Sequence, residues 1–171
     1  MVLSLQDAEK FKGIETDVRE TAVPDEIVTY YNESTAAQTI TNAAGWADIT
    51  GVTRTLTITD NKTVVIFSSV QAELPAGEDK VGLSIRVDID GTAKTNSTRK
   101  TAFELKTATG TEEVRPLDDT DTSVTVSTQY VETLSSGSHT IKIQASGQLN
   151  GTSGWAVSLA SGNSNMAIMA V

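Results

Sequence analysis

Residues 133–145 read Thr-Leu-Ser-Ser-Gly-Ser-His-Thr-Ile-Lys-Ile-Gln-Ala, and the second half of that stretch decides the fold. Side chains of a strand point alternately to its two faces, so Ile141, Ile143 and Ala145 share one face while Thr140, Lys142 and Gln144 share the other. Ser135-Ser136-Gly137-Ser138 is turn chemistry, set between this strand and one that ends near Leu134. Two strands joined by a short turn, each apolar on one side, belong to a half-buried antiparallel sheet. The same alternation recurs at Leu56 and Ile58, at Leu83, Ile85, Val87 and Ile89, at Val124 and Val126, and in the closing run Met166-Ala167-Ile168-Met169-Ala170-Val171.

Working outward, the punctuation from Thr35 onward is that of an all-β chain. Asp60-Asn61-Lys62, Pro75-Ala76-Gly77-Glu78-Asp79, Asp90-Gly91-Thr92, Ser136-Gly137-Ser138 and Ser161-Gly162-Asn163 separate short apolar runs. Strands are expected at 37–41, 46–50, 53–59, 63–73, 81–90, 101–107, 122–134, 139–147, 154–160 and 164–171. With no helices between them, the expected fold is all-β, an antiparallel β-sandwich of the jelly-roll type. The polar stretches 92–100 and 112–122 are expected to be exposed loops. The domain reading is an N-terminal arm over residues 1–32 and a jelly-roll domain over 33–171. The arm is charge-rich and carries Leu5, Ala8, Phe11, Ile14 and Val18 at helix-like spacings, with Ser4 and Asp7 placed as a capping box, Gly13 placed to close a short helix after Lys12, and Pro24 breaking any continuation. It is either an arm that docks on a neighbour or a helix folded back on its own sandwich.

The chain of 171 residues suits one principal domain, and its apolar positions rely on Val, Ile, Leu and Ala because aromatics make up only 5%. Association of subunits would enlarge so modest a core. The net charge of −9, with thirteen basic residues scattered singly, argues against nucleic acid, whose phosphates demand clustered Lys and Arg. No cysteine is present, which removes disulfides and thiolate metal sites. Met1 to Asp7 shows neither a basic n-region nor an apolar h-region, and no run approaches the ~20 apolar residues of a membrane span, so neither a secretory signal nor a span is expected.

Few residues offer chemistry. His139 is the single histidine and has no G-x-S-x-G elbow or paired base in the sequence, so it reads as a strand residue near a turn and not as a catalyst. Asp88 and Asp90, two apart on one strand face, invite comparison with a glycosidase pair; the plainer reading has Asp90 opening a turn and Asp88 in solvent. Asp118, Asp119 and Asp121 are candidate calcium ligands without the regular ladder of a known calcium loop, and no other cofactor is expected. Phosphate-cradling glycine motifs are absent. Trp46 and Trp155, with Tyr30, Tyr31 and Tyr130, are candidates for a sugar-stacking face, against the plainer reading of core or interface residues. Asn-x-Ser/Thr sequons at Asn32, Asn61, Asn96 and Asn150 fall in or near expected turns.

The run Gly45-Trp46-Ala47-Asp48-Ile49, then Leu56-Thr57-Ile58-Thr59, Thr63-Val64-Val65-Ile66 and Leu83-Ser84-Ile85-Arg86-Val87-Asp88-Ile89-Asp90-Gly91, together with 134–144 and the apolar strand to Val171, resembles a small virion jelly roll. The family is the trimeric fibre-head and capsid-decoration domains of tailed viruses, bacteriophages among them, similar in shape to complement and tumour-necrosis-factor heads. The resemblance implies a non-enzymatic virion structural protein, assembled in the host cytoplasm: a capsid decoration, head spike or short tail-fibre tip. It implies a homotrimer sharing an apolar centre, with Met166, Ile168, Met169 and Val171 as interface candidates. It further implies attachment to a major capsid or tail subunit through Leu5, Phe11, Ile14 and Val18. The alternative role on the same scaffold is a receptor- or glycan-binding adhesin head that meets a host surface glycan through Trp46 and Trp155. An enzyme such as a depolymerase is the third class, disfavoured for want of an acid-base set.

Overall fold

A computed structural model of the chain describes residues 28–40, 45–73, 80–104, 123–147 and 157–171. These hold ten strands: β1 (Val28–Glu33), β2 (Gln38–Ile40), β3 (Ala47–Ile58), β4 (Lys62–Glu73), β5 (Lys80–Ile89), β6 (Thr92–Glu104), β7 (Ser123–Leu134), β8 (Gly137–Ser146), β9 (Val157–Leu159) and β10 (Ser164–Ala170). No helix occurs among the described residues.

The pairing is nested. β1 pairs with β10 and β2 with β9, β3 with β8, β4 with β7, and β5 with β6, all antiparallel. Outermost pairs with outermost and innermost with innermost, as in one long hairpin rolled up. The roll yields two layers. Sheet A runs β1-β10-β4, with β7 on the far side of β4 and the short β9 and β2 extending it beyond Glu73; sheet B runs β3-β8-β5-β6. Because β1 and β2 follow each other along the same pair of partners, as do β9 and β10, the ten pieces are the eight strands of a jelly roll. The all-β jelly-roll sandwich expected from alternation is the observed fold.

Each layer turns one parity of its strands inward. Val64, Ile66 and Val70 of β4 and Met166 and Ile168 of β10 meet Leu83, Ile85 and Val87 of β5 and Ile141 and Ile143 of β8, all with no solvent exposure. Burying a side chain of this size stabilises by roughly 1.5–3 kcal/mol, so these rows hold the sheets together without aromatic filler. The two open sides are closed by polar contacts. On one, the Arg54 guanidinium of β3 stacks 4.5 Å from the Tyr30 ring centroid of β1. On the other, Lys94 of β6 pairs with Glu132 of β7 at 2.9 Å, and the Thr128 hydroxyl donates to the Ser97 carbonyl at 2.5 Å.

Several expectations are corrected. The expected strands 46–50 and 53–59 are one strand, β3, whose register with β8 shifts between Asp48 and Thr53. Gly51 occupies that irregularity with φ of +86°, and a Cβ there would lie 2.7 Å from both Glu33 O and Thr35 N, where the chain crosses from β1 to β2. The expected loop 92–100 is strand β6: an edge strand tolerates Thr, Lys and Asn on both sides, and buried Ser97 fills its bulge by accepting from Val87 N at 2.8 Å. Residues 28–32, placed with the arm by composition, are a strand of the sandwich, and residues 1–27 lie outside the described set. Met166 and Ile168 are not available to a neighbour, because β10 lies between β1 and β4 and both side chains point into the protomer's own core.

Candidate functional site

The outward parity of sheet A is apolar where its four long strands lie side by side. Register places Tyr31, Ala167 and Phe67 in one row across β1, β10 and β4, ending at Gln129 of β7. The next row is Thr29, Met169, Val65 and Val131. A third begins at Val171, whose backbone exchanges hydrogen bonds with Thr63 at 3.0 and 2.9 Å. Tyr31 is 61% exposed, Val131 51%, Val171 47% and Phe67 40%, so the side chains crossing this face stand in solvent. A contiguous exposed apolar face is a candidate interaction surface.

The outward parity of sheet B is polar and internally satisfied. Gln144 at its centre accepts from Arg86 Nε at 2.8 Å and donates to Asp48 Oδ1 at 2.8 Å. Lys142 reaches the other Asp48 oxygen at 2.7 Å. Partial burial pushes the Asp48 carboxyl up, but its bonds from Lys142 and Gln144 outweigh this and hold it below its ordinary value. The same pairing holds Lys142 above its own. Burial lowers Arg86, against the opposing pull of the Asp88 charge. The Arg86 guanidinium also covers the Trp46 ring at 4.2 Å from its centroid. Threonines 53, 55 and 57 of β3 continue the face along its edge, with Thr55 bonded to Thr140 at 3.3 Å.

At the turn end of sheet B, Asp90 has a φ of +55° and opens the β5–β6 turn. Its Oδ1 accepts from Thr140 N at 2.7 Å and its Oδ2 from His139 Nδ1 at 2.7 Å, while His139 Nε2 donates to Ser135 O at 2.9 Å. Both ring partners are acceptors, and both are satisfied only by the imidazolium. The Asp90 bond, then the Ser135 bond, therefore raise His139 above its ordinary value. The Thr140 amide, then His139, lower Asp90. His139 thus straps the β5–β6 turn to the β7–β8 turn. Asp88 is buried at 3% exposure and not in solvent as the sequence suggested, because its Oδ1 accepts from Gly91 N at 3.0 Å and folds it into the same turn. Asp88 and Asp90 are both engaged as turn acceptors.

A cleft of about 160 Å³ opens beside β1 at the mouth of the sandwich, lined by Val28, Tyr30, Leu56, Ile58, Lys62 and Ala170 among others. Among the described residues no three acidic or imidazole side chains gather as a metal site would require. Asp118, Asp119 and Asp121 lie outside those residues, as do Trp155, Asn150 and the arm residues Leu5, Phe11, Ile14 and Val18.

Of the residues singled out by sequence, Met169 and Val171 fall on the outer face of sheet A, and Trp46 falls on that of sheet B, outside the core. Among the sequons, Asn61 is exposed in the β3–β4 turn, Asn96 is exposed on β6, and Asn32 lies within β1 with its amide oxygen buried. Sequence reading named Tyr31 only as a candidate for stacking on sugar and missed Phe67 and Val131, its neighbours on this surface. Their signal was present: Tyr30-Tyr31, Val64-Val65-Ile66-Phe67 and Tyr130-Val131 interrupt the alternation with consecutive large apolar residues, which fills both faces of a strand.

No protein-family model matches the chain, and no curated protein matches it in sequence. Among solved structures it is similar to that of infectious bursal disease virus, Gx strain, at 14% identity over 86% of this chain and 32% of that one, with a TM-score of 0.42. It is similar to the VP2 subviral particle of the same virus at 13% identity, over 85% of this chain and 33% of that one, with a TM-score of 0.41. Latent PorU from Porphyromonas gingivalis matches at 10% identity over 84% of this chain and 12% of that one, with a TM-score of 0.37. The chain spans about a third or less of each of these structures. Strand order and register, and not these likenesses, define its fold.

Proposed function

We propose that this chain is a non-enzymatic structural protein of a virion, a capsid decoration, head spike or short fibre tip, that works by burying surface. The observation that carries the reading is the outer face of sheet A. Four strands lift Tyr31, Phe67, Val131 and Val171 into solvent, while Asp90 is engaged by His139 and the Thr140 amide and Asp88 by the Gly91 amide. A face that presents apolar area on a rigid sheet is suited to assembly, and assembly is the role that the resemblance to virion jelly rolls implies. In this reading the protomers form a homotrimer through that face, with Met169 and Val171 inside the contact. The segment carrying Leu5, Phe11, Ile14 and Val18 attaches the trimer to a major capsid or tail subunit. Its place is the virion, put together in the host cytoplasm.

Native mass measurement of the full chain tests the reading, with Phe67→Lys as the perturbation. A three-chain mass that falls to one chain in Phe67→Lys is expected. A strict monomer in both chains would overturn assembly through sheet A.

One observation favours the adhesin reading as a second: Trp46 lies on sheet B's outer face beside Arg86, Gln144 and Asp48, planar polar groups of the kind that bond sugar hydroxyls. A glycan screen in which Trp46→Leu stays folded and loses binding would move the conclusion to that role.

A further inference from the structure

The two open sides of the sandwich are built alike and differ by one group. On the β6–β7 side, Tyr130 and Glu132 lie two apart on the inward parity of β7, and Glu132 takes the cation Lys94 of β6 at 2.9 Å. On the β1–β3 side, Tyr30 and Asn32 lie two apart on the inward parity of β1, and the facing cation is Arg54 of β3, stacked 4.5 Å from the Tyr30 centroid. Each side sets a Tyr-x-acceptor pair against a cation. Only one of the two acceptors is a carboxylate.

Asn32 thus stands where its counterpart carries charge. Its amide oxygen is buried with no hydrogen-bond partner, and so is the Arg54 Nε. Buried polar groups are ordinarily bonded, so a donor and an acceptor left open on facing strands call for a third group between them. The Tyr30 ring face attracts the Arg54 charge but accepts none of the hydrogen bonds that a guanidinium directs in a planar fork. Among the described residues no carboxylate pairs with Arg54, although the chain as a whole carries a net charge of −9. Tyr30 also lines the cleft of about 160 Å³, with Val28, Leu56, Ile58 and Ala170 as hydrocarbon wall and no acid among its lining residues. A cavity of about 150 Å³ lined by apolar side chains takes up benzene, so this one admits a single compact ring. Lys62, the cation at that cleft, has a partner of its own.

We propose that the β1–β3 side binds a small organic carboxylate, whose carboxyl group accepts from the Arg54 guanidinium in the place that Glu132 fills opposite, and whose hydrocarbon body occupies the cleft along Tyr30. An acidic side chain offered by another protein would satisfy Arg54 but leave the cleft empty, which favours the small molecule. The site belongs to the protomer and goes beyond the assembly reading, since it uses neither the outer face of sheet A nor any contact between subunits.

The test is a titration of the full chain, in buffer free of carboxylates, followed by backbone amide resonances. Benzoate should shift Tyr30, Asn32 and Arg54 saturably, with benzyl alcohol and acetate each binding roughly tenfold more weakly, because one lacks the charge and the other the ring. Arg54→Met should weaken benzoate by about tenfold, and Lys100→Gln, which removes one positive charge from exposed β6, should leave it unchanged. Asn32→Asp restores a carboxylate to this side within the chain, so it should raise the urea midpoint and abolish benzoate binding. That variant keeps the proposal open to refutation should Arg54→Met fold poorly. Absence of saturable shifts, benzyl alcohol bound as tightly as benzoate, native affinity in Arg54→Met, or benzoate binding retained in Asn32→Asp would each overturn it.

Discussion

The two outer faces of the sandwich are built on the same pleated lattice and carry opposite chemistry. On sheet A the outward row Thr29, Met169, Val65 and Val131 is largely hydrocarbon. On sheet B the outward row Asp48, Gln144 and Arg86 is a closed chain of hydrogen bonds capped by Trp46 and Lys142. A face whose polar groups bond to one another is finished in the monomer. A face of exposed Tyr31, Phe67 and Val131 is finished only when something covers it. The difference is one of completion: sheet A presents unpaired apolar area, whereas the centre of sheet B's outer face is paired within the protomer and its Ser84–Ser146 end is buried.

The sharpest way to break this comparison lies within one strand. Ile168 and Met169 are adjacent on β10, and the first is fully buried in the core while the second is turned outward. Ile168→Ala should cost roughly 2–5 kcal/mol in urea unfolding, through lost burial and the cavity left behind. Met169→Ala should change stability by about 0.5 kcal/mol or less, and its effect should appear in association. Equal costs at both positions would mean that the outer face is already covered as thoroughly as the core.

Next in size is Gly51, at the seam between the sheets. Its φ of +86° and the 2.7 Å approach to Glu33 O and Thr35 N leave no room for a Cβ among atoms that belong to backbone and cannot rotate away. Gly51→Ala should destabilise by about 1–3 kcal/mol, and by more if the β1–β2 crossing is pushed off, because β1 carries Tyr31 to the outer face. An urea midpoint unchanged by the substitution would show that the crossing yields freely. A smaller effect separates the faces directly. Arg86→Met removes a cation–π contact and a hydrogen bond to Gln144 and should cost about 1 kcal/mol, whereas Phe67→Ser should leave stability within about 0.5 kcal/mol while reducing association. The reverse order would exchange the roles assigned to the faces.

How much of this was legible in the sequence follows from what alternation can and cannot say. Ile141, Ile143, Leu83, Ile85, Val87 and Ile89 alternate with polar neighbours, so β5 and β8 and their inward residues could be read directly. Alternation does not say whether an inward residue meets its own sandwich or a neighbour's, and so the sequence offers Met166 and Ile168 equally to an interface, whereas the protomer's core holds them. Polar strands carry no hydrophobic period at all, which hid β6 in the run Thr-Ala-Lys-Thr-Asn-Ser-Thr-Arg-Lys from Thr92 to Lys100. The surface residues were hidden for a different reason. Tyr31, Phe67 and Val131 are far apart in the chain, and only the strand order β1-β10-β4-β7 sets them side by side.

The finest test of the contrast uses pH, because the end of sheet B is held by charge and the outer face of sheet A is not. His139 has a folded value above its ordinary 6.5, so its contribution is full below pH 6.5 and is lost as pH rises through that raised value. Asp90 has a folded value below its ordinary 3.8, so its contribution is present above pH 3.8 and is lost as pH falls through the lowered one. Both halves of the strap therefore hold between those two ordinary values, with Lys94 supporting Asp90 and Glu132 supporting His139 from β6 and β7. Urea midpoints at about pH 5.5 and about pH 8.5 should differ in the native chain by more than they do in His139→Gln, which retains a hydrogen-bonding side chain and cannot titrate. Val131→Ser on the opposite face should keep the native difference. If His139→Gln showed the full native pH dependence, the two turns would be held together by something other than the imidazolium between Asp90 and Ser135.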